Sequence, residues 1–187
     1  MNFPDKKYKI IYADPPWHYD DLALAGNRGA GCKYDVMSLD DICNLPVKEI
    51  ADKDCILFIW GTWTHIKKIQ QVIESWGFEY STVGFVWIKK NMNGTYFMGM
   101  GNRTRSNTEY CLIGIKGQLE RLDCGISQII ETTPKNHSQK PDEVRQKIIR
   151  LYGDLPRIEL FARTKVHGWD VWGNDEKLNL QPLESFY

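Results

Sequence analysis

Residues Asp14-Pro15-Pro16-Trp17 close the apolar run Tyr8-Lys9-Ile10-Ile11-Tyr12-Ala13. A short, nearly continuous apolar run of this kind predicts a buried strand. An acid, two prolines and an indole therefore stand where a strand stops and a loop begins. Each proline fixes φ and removes an N–H donor, so the neighbouring carbonyls point in set directions. Asp14 adds a carboxylate and Trp17 a flat apolar face. An acceptor beside a stacking plane suits a planar ring carrying an NH2 group, and an adenine base fits that description. An ordinary strand-ending turn is the plain alternative, and these four residues alone do not exclude it.

Composition narrows the classes. Lys plus Arg equals Asp plus Glu at 24 each, so the chain is neutral. A strongly basic nucleic-acid footprint is thereby excluded, and any such binding must rest on a local patch or a partner chain. A length of 187 residues predicts a single domain, 1–187, with a sizeable core. No apolar run reaches membrane-spanning length, and the start MNFPDKK lacks the apolar core of a signal peptide. The expectation is a soluble, cytoplasmic protein. The five cysteines (Cys32, Cys43, Cys55, Cys111, Cys124) contain no CxxC pair, and His18, His65, His137 and His167 have no ligand spacing. Neither a disulfide framework nor a metal site is expected.

Along the chain, residues 18–38 hold several glycines and are too long for a simple connection, which leaves a floppy surface loop or a substrate lid open. Tyr34 at its far end could stack on a base or anchor the loop. Ser38 is a candidate N-cap for a short helix over 39–50. The run Cys55–Trp60 suits a strand buried on both faces of a parallel sheet. Ile66, Ile69, Val72, Ile73 and Trp76 recur at helical spacing before Gly77, a C-terminal stop. Residues 78–89 read as a strand ending in Trp87-Ile88-Lys89-Lys90, and Glu109–Lys116 as its antiparallel neighbour. Between them, 91–106 form a second long loop, made basic by Lys89, Lys90, Arg103 and Arg105. Cations interleaved with aromatics are the pattern on which a nucleic-acid backbone docks, although a solvated loop gives the same pattern.

Ser127–Thr132 reads as a short strand, and Pro141 as the first residue of a helix running to Tyr152 before Gly153. Lys140 then sits where it opposes the helix dipole, which is unfavourable unless an anion lies there. Arg157–Arg163 is the last main strand, followed by a short strand and turn over 168–175. Alternating strands and helices predict a doubly wound α/β sheet. Ligands in such sheets bind beyond the carboxyl ends of the strands. Asp14–Trp17, Lys140 and Phe161–Arg163 could therefore face one crevice.

The segments ADPPW, YDVMSLDDI, W-G-F-x-Y-x-x-V-x-x-x-W-I-K, EYCLIGIKG, SQKPDE, IELFAR and W-x-x-W-G-N occur in this order over residues 8–175. The set resembles the MT-A family of S-adenosylmethionine-dependent adenine N6-methyltransferases. The resemblance implies a Rossmann-like class I methyltransferase fold, mostly parallel with helices on both faces, with the catalytic motif before the cofactor strand. It implies that Asp14, Pro15, Pro16 and Trp17 are catalytic. It places Lys140, Phe161, Arg163, Asn174 and Asp175 on the S-adenosylmethionine cofactor, with no metal. Tyr34, Glu109 and Ser138 match positions near the target base, beside the candidate nucleic-acid contacts Trp87, Lys89, Arg103 and Arg105. The expected activity is methylation of adenine N6 in DNA by a compact bacterial or phage-type enzyme. Adenosine in RNA is the rival substrate, and a non-catalytic subunit of a methyltransferase complex is the rival role. A homodimer, or a heterodimer with a related subunit, is a plausible assembly for a neutral chain.

Overall fold

The computed structural model describes residues 3–18, 36–101, 103–135 and 139–173. Its centre is a seven-stranded sheet: β1 (Tyr8–Ala13), β2 (Ala51–Gly61), β3 (Glu79–Lys89), β4 (Thr108–Lys116), β5 (Ile129–Thr132), β6 (Arg157–Leu160) and β7 (Asp170–Trp172). The spatial order is β5-β3-β4-β2-β1-β6-β7. β1 is paired in parallel with both β2 and β6, so that Ile11 lies level with Leu57 on one side and Ile158 on the other. β4 alone runs against its neighbours β2 and β3, as the hairpin across 91–106 predicts. The sheet is thus mostly parallel, and the fold is the Rossmann-like α/β arrangement expected from the sequence.

Helices cover both faces. α1 (Leu39–Cys43), α2 (Val47–Ile50) and α3 (Ile66–Ser75) pack on the side to which Ile11, Ala13, Leu57 and Ile59 point. α4 (Glu143–Tyr152) covers the side of Ile10, Tyr12, Phe58 and Trp60. The period of two along β1 and β2 divides their side chains between the two layers. Ser38 caps α1 by accepting from the Asp41 N–H at 3.1 Å. The buried indoles find acceptors: Trp60 Nε1 donates to the Tyr12 hydroxyl at 2.7 Å, and Trp76 Nε1 to the Ile42 carbonyl at 2.8 Å.

The helix expected over 39–50 is broken at Pro46 into α1 and α2, the strand expected from Ser127 starts at Ile129, and three further boundaries differ. β2 starts at Ala51 rather than Cys55, because charged Asp52, Lys53 and Asp54 continue the strand where it clears the core. β6 stops at Leu160, since Phe161 turns to φ +60° and leaves the sheet. α4 starts at Glu143, so Pro141 and Lys140 belong to the approach to the helix rather than to its first turn. Among the described residues, no helix is long and apolar enough to cross a membrane.

Candidate active site

The end of β1, the end of β3, the start of the reversed β4 and the end of β6 all lie at one edge of the sheet. Beside β1 the strand order changes direction, since the chain proceeds from β1 to β2 on one side and later to β6 on the other. A crevice at such a switch point is where open α/β sheets take ligands.

Asp14 is the first residue beyond β1. Its carboxylate accepts from Lys140 Nζ at 2.8 Å, although the two are 126 residues apart. The same ammonium lies 3.3 Å from Glu109 Oε2, and Glu109 Oε1 accepts from Lys89 Nζ at 2.5 Å. Glu109 faces Trp87 across the β3–β4 ladder, and Lys89, two residues on, shares that face. The four side chains form a chain of alternating sign, Asp14–Lys140–Glu109–Lys89, with no net charge. Lys140 also lies 5.9 Å from the centroid of the Trp60 ring. The anions that reconcile Lys140 with its position before α4 are thus two carboxylates of this protein.

Burial and charge act against each other here. Burial pushes the Asp14 carboxyl above its ordinary pKa, and Lys140 only partly opposes that. Burial pushes Glu109 the same way, but Lys140 and Lys89 together outweigh it and hold this carboxyl below its usual value. Burial alone would lower Lys140; Asp14 and Glu109 more than offset it and keep the ammonium protonated. Asp14 is therefore the acid in the cluster held closest to accepting a proton.

The two prolines shape the turn. The Pro15 carbonyl accepts from the Trp17 N–H at 2.9 Å and keeps a second lone pair. The Pro16 carbonyl accepts from the Met37 N–H at 3.0 Å. Trp17 is only 6% exposed; its Nε1 donates to the Trp60 carbonyl at 3.0 Å and its ring stacks on His65. These contacts make the Trp17 ring a pillar that fixes the turn. It forms one wall of a cleft of about 330 Å³ with His18, Met37, Ser38, Leu39 and Lys68.

Phe161, at the end of β6, holds a left-handed backbone, a conformation that costs a non-glycine residue roughly 1 kcal/mol or more. Its ring meets Trp172 edge-on at 5.5 Å. Trp172 Nε1 is buried, without an acceptor among the described residues. Arg163, two residues further on, is exposed, and its charge is felt at Asp14.

Two expected nucleic-acid contacts, Trp87 and Lys89, are engaged within the protein. Trp87 is a core residue, 2% exposed, with its Nε1 donating to the Thr132 carbonyl at 3.3 Å. Lys89 pairs with Glu109 and lies over the Trp87 ring. A β strand that ends in aromatic and basic residues looks the same in sequence whichever face those residues point to. Trp87→Ala should cost about 3–5 kcal/mol of stability, as removal of a core indole does. The urea midpoint should fall sharply while nucleic-acid affinity of the folded fraction stays unchanged. Arg103 and Arg105 are exposed on the β3–β4 hairpin. Tyr34, Ser138, Asn174 and Asp175, with most of the 18–38 segment, lie outside the described residues.

Trp63 escaped the sequence reading. It is 49% exposed just past β2, with Nε1 donating to the Thr108 hydroxyl at 2.8 Å and its ring on Tyr110. The available signal was an indole two residues beyond Gly61, where a strand buried on both faces reaches the ligand-binding edge. Among the described residues, no group of three His, Cys, Asp or Glu side chains could hold a metal ion.

The switch point of this sheet thus holds a proline-locked acid, Asp14, facing a lysine, Lys140. The chain belongs to the MT-A70 family, whose model matches residues 8–175. It is 38% identical to the type II methyltransferase M.MunI of Mycoplasma sp. over 91% of this chain and 78% of that one. It is 29% identical to the N(6)-adenosine-methyltransferase MT-A70-like protein of Drosophila melanogaster and 28% to the N(6)-adenosine-methyltransferase catalytic subunit METTL3 of Homo sapiens. Each of these two matches covers 84% of this chain but only about a quarter of the relative.

Proposed function

We propose that the chain transfers a methyl group from S-adenosylmethionine to the exocyclic N6 amine of adenine in DNA, with Asp14 as the residue that receives the amine. The observation that carries this reading is the part-buried Asp14–Lys140 pair at the strand edge. DNA is favoured by the likeness to M.MunI, which spans most of both chains. The METTL3-like relatives favour adenosine in RNA, but over only a quarter of their length.

The donor set fits such a cofactor. Lys140 offers a cation for its carboxylate. Phe161 and Arg163 are proposed to hold its nucleoside part, and the unsatisfied Trp172 Nε1–H offers a donor beside Phe161. Asn174 and Asp175 are further proposed contacts. S-adenosylmethionine, when bound, supplies an electrophilic methyl group.

The residues do the rest. The adenine N6 lone pair is shared with the ring, which makes the amine a poor nucleophile. The Asp14 carboxylate and the remaining lone pair of the Pro15 carbonyl accept the two N–H bonds and favour a pyramidal nitrogen. Pro16 and the pinned Trp17 hold both acceptors still, so catalysis rests on position and fixed charge rather than on a covalent intermediate. The raised proton affinity of Asp14 suits one of its oxygens to take the proton that the amine loses. Glu109 and Lys89 set the charge around Lys140. Tyr34 and Ser138 are proposed to border the base.

Two outcomes test this arrangement. Lys140→Ala should weaken S-adenosylhomocysteine binding about 10- to 100-fold, the worth of a hydrogen bond to a charged group. Calorimetry showing an unchanged dissociation constant would remove Lys140 from the cofactor site. Turnover should fall on acidification at a pH above the ordinary carboxylate range, because burial raises Asp14 and the protonated acid cannot accept. Methylation of DNA and RNA side by side by the purified chain decides between the two substrates.

A further inference from the structure

We infer that the β3–β4 hairpin is a wedge for duplex nucleic acid: Met98 and Met100 enter the base stack beside the target while Arg103 and Arg105 hold the phosphates. The inference rests on the nucleic-acid substrate proposed above and gives it a mechanism for reaching a paired base.

Four observations carry it. Met98 is 67% exposed and Met100 84%, with Phe97 at 37% beside them. So many large apolar side chains in water on one short segment call for a partner. The hairpin is also built rather than loose. Phe97 N–H donates to the Lys89 carbonyl at 2.9 Å, Asn91 N–H to the Thr95 carbonyl at 2.8 Å, and Gly99 N–H to the Ser106 carbonyl at 3.0 Å. A side chain on Gly99 or Gly101 would run into the carbonyl oxygens of Ser106 and Thr104, so these glycines let the two strands close up and thrust the methionines outward.

Charge then selects the partner. Residues 89–108 contain Lys89, Lys90, Arg103 and Arg105 and no acid, in a chain that is neutral overall. Lys89 is paired with Glu109 and Lys90 with Glu131, which leaves Arg103 and Arg105 as the exposed cations beside Met98 and Met100. Apolar tips flanked by cations match a stacked polyanion better than a protein surface. Proteins that kink duplexes insert Met, Phe or Leu between base steps in this manner. Finally, the hairpin is continuous with the site. Its two stems meet the site at Lys89 and Glu109, the half of the cluster that reaches Asp14 through Lys140.

A base inside a duplex must leave the stack to meet Asp14, and unstacking costs least when the target is already unpaired. The test is methylation by the full chain of three substrates: perfect duplex, the same duplex with the target adenine mispaired, and single strand. Met98→Ala with Met100→Ala should slow methylation of the perfect duplex about tenfold or more, and leave the mispaired and single-stranded substrates near wild type. A 2-aminopurine probe at the target should lose its rise in fluorescence with the variant. Arg103→Gln with Arg105→Gln should weaken binding of all three and flatten the salt dependence.

Equal slowing on paired and unpaired targets would overturn the wedge. So would a change of oligomeric state by light scattering in the methionine variant, which would make the hairpin a protein interface. Wild type that methylates single strands but never a duplex would overturn the wedge and spare the substrate reading. Wild type that methylates no nucleic acid would end both.

Discussion

Asp14→Asn should lower methyl transfer by roughly 10³-fold or more while S-adenosylhomocysteine binding stays within a few-fold of wild type. The asparagine keeps the size of the side chain but places an NH2 group or a neutral oxygen where a carboxylate faced the amine. Removing a fixed charge from a water-poor site costs on the order of 10²–10³ in rate, and here the same change also removes a proton acceptor. The substitution also releases Lys140, which keeps Glu109 at 3.3 Å and is not orphaned. Asp14→Ala should behave alike in rate. Single-turnover kinetics with saturating nucleic acid separates the loss of chemistry from a loss of binding. Near-normal turnover in either variant would withdraw Asp14 from the reaction.

A large loss of stability should come from Arg145→Met. Arg145, on α4, forms a two-pronged pair with Glu159 of β6, at 2.7 Å through Nε and 2.8 Å through Nη2, and a further contact to Asp142 at 3.0 Å. Both main partners are buried, Arg145 at 8% and Glu159 at 7% exposure. Burial already pushes the Glu159 carboxyl up, with Arg145 opposing. Removing the guanidinium leaves that carboxylate buried and unpaired, which typically costs about 3–5 kcal/mol. The urea midpoint should fall accordingly, with an unchanged slope. Arg145→Met with Glu159→Leu should regain much of the loss, since a well-packed apolar pair often replaces a buried ion pair at little cost. A single variant as stable as wild type would mean that Glu159 finds water, and that α4 is held to the sheet by Val144 and Ile148 alone.

The sheet was legible because its signals are local. Cys55–Trp60 is apolar without alternation, as a strand covered on both faces must be, and Ile69, Val72 and Ile73 repeat at the helical period. The antiparallel β3–β4 pair followed from two strand patterns flanking one loop. Boundaries set by single residues were less visible. Nothing in IELFAR announces that Phe161 turns to a positive φ and ends β6 three residues early.

The site was legible in its members and obscure in its pairings. Asp14 and Lys140 were singled out separately, one for its prolines and the other for its awkward place before a helix. Their contact spans 126 residues, and no local pattern encodes it. Facing was equally hidden. Trp17 and Trp87 are aromatic residues at strand ends, the same description that fits exposed Trp63, yet the first two are buried and only the third meets solvent. Whether an indole stacks on a substrate or props a turn depends on which neighbours the sheet order brings to it, here His65 and the Trp60 carbonyl for Trp17.

The most direct measurement is the identity of the methylated nucleoside. The purified chain is incubated with radiolabelled S-adenosylmethionine and, in parallel, with double-stranded DNA, single-stranded DNA and RNA, and each product is digested to nucleosides. Label in N6-methyldeoxyadenosine, lost with Asp14→Asn, is the predicted result. Label in N4-methyldeoxycytidine, or in no nucleoside although the cofactor binds, would contradict it.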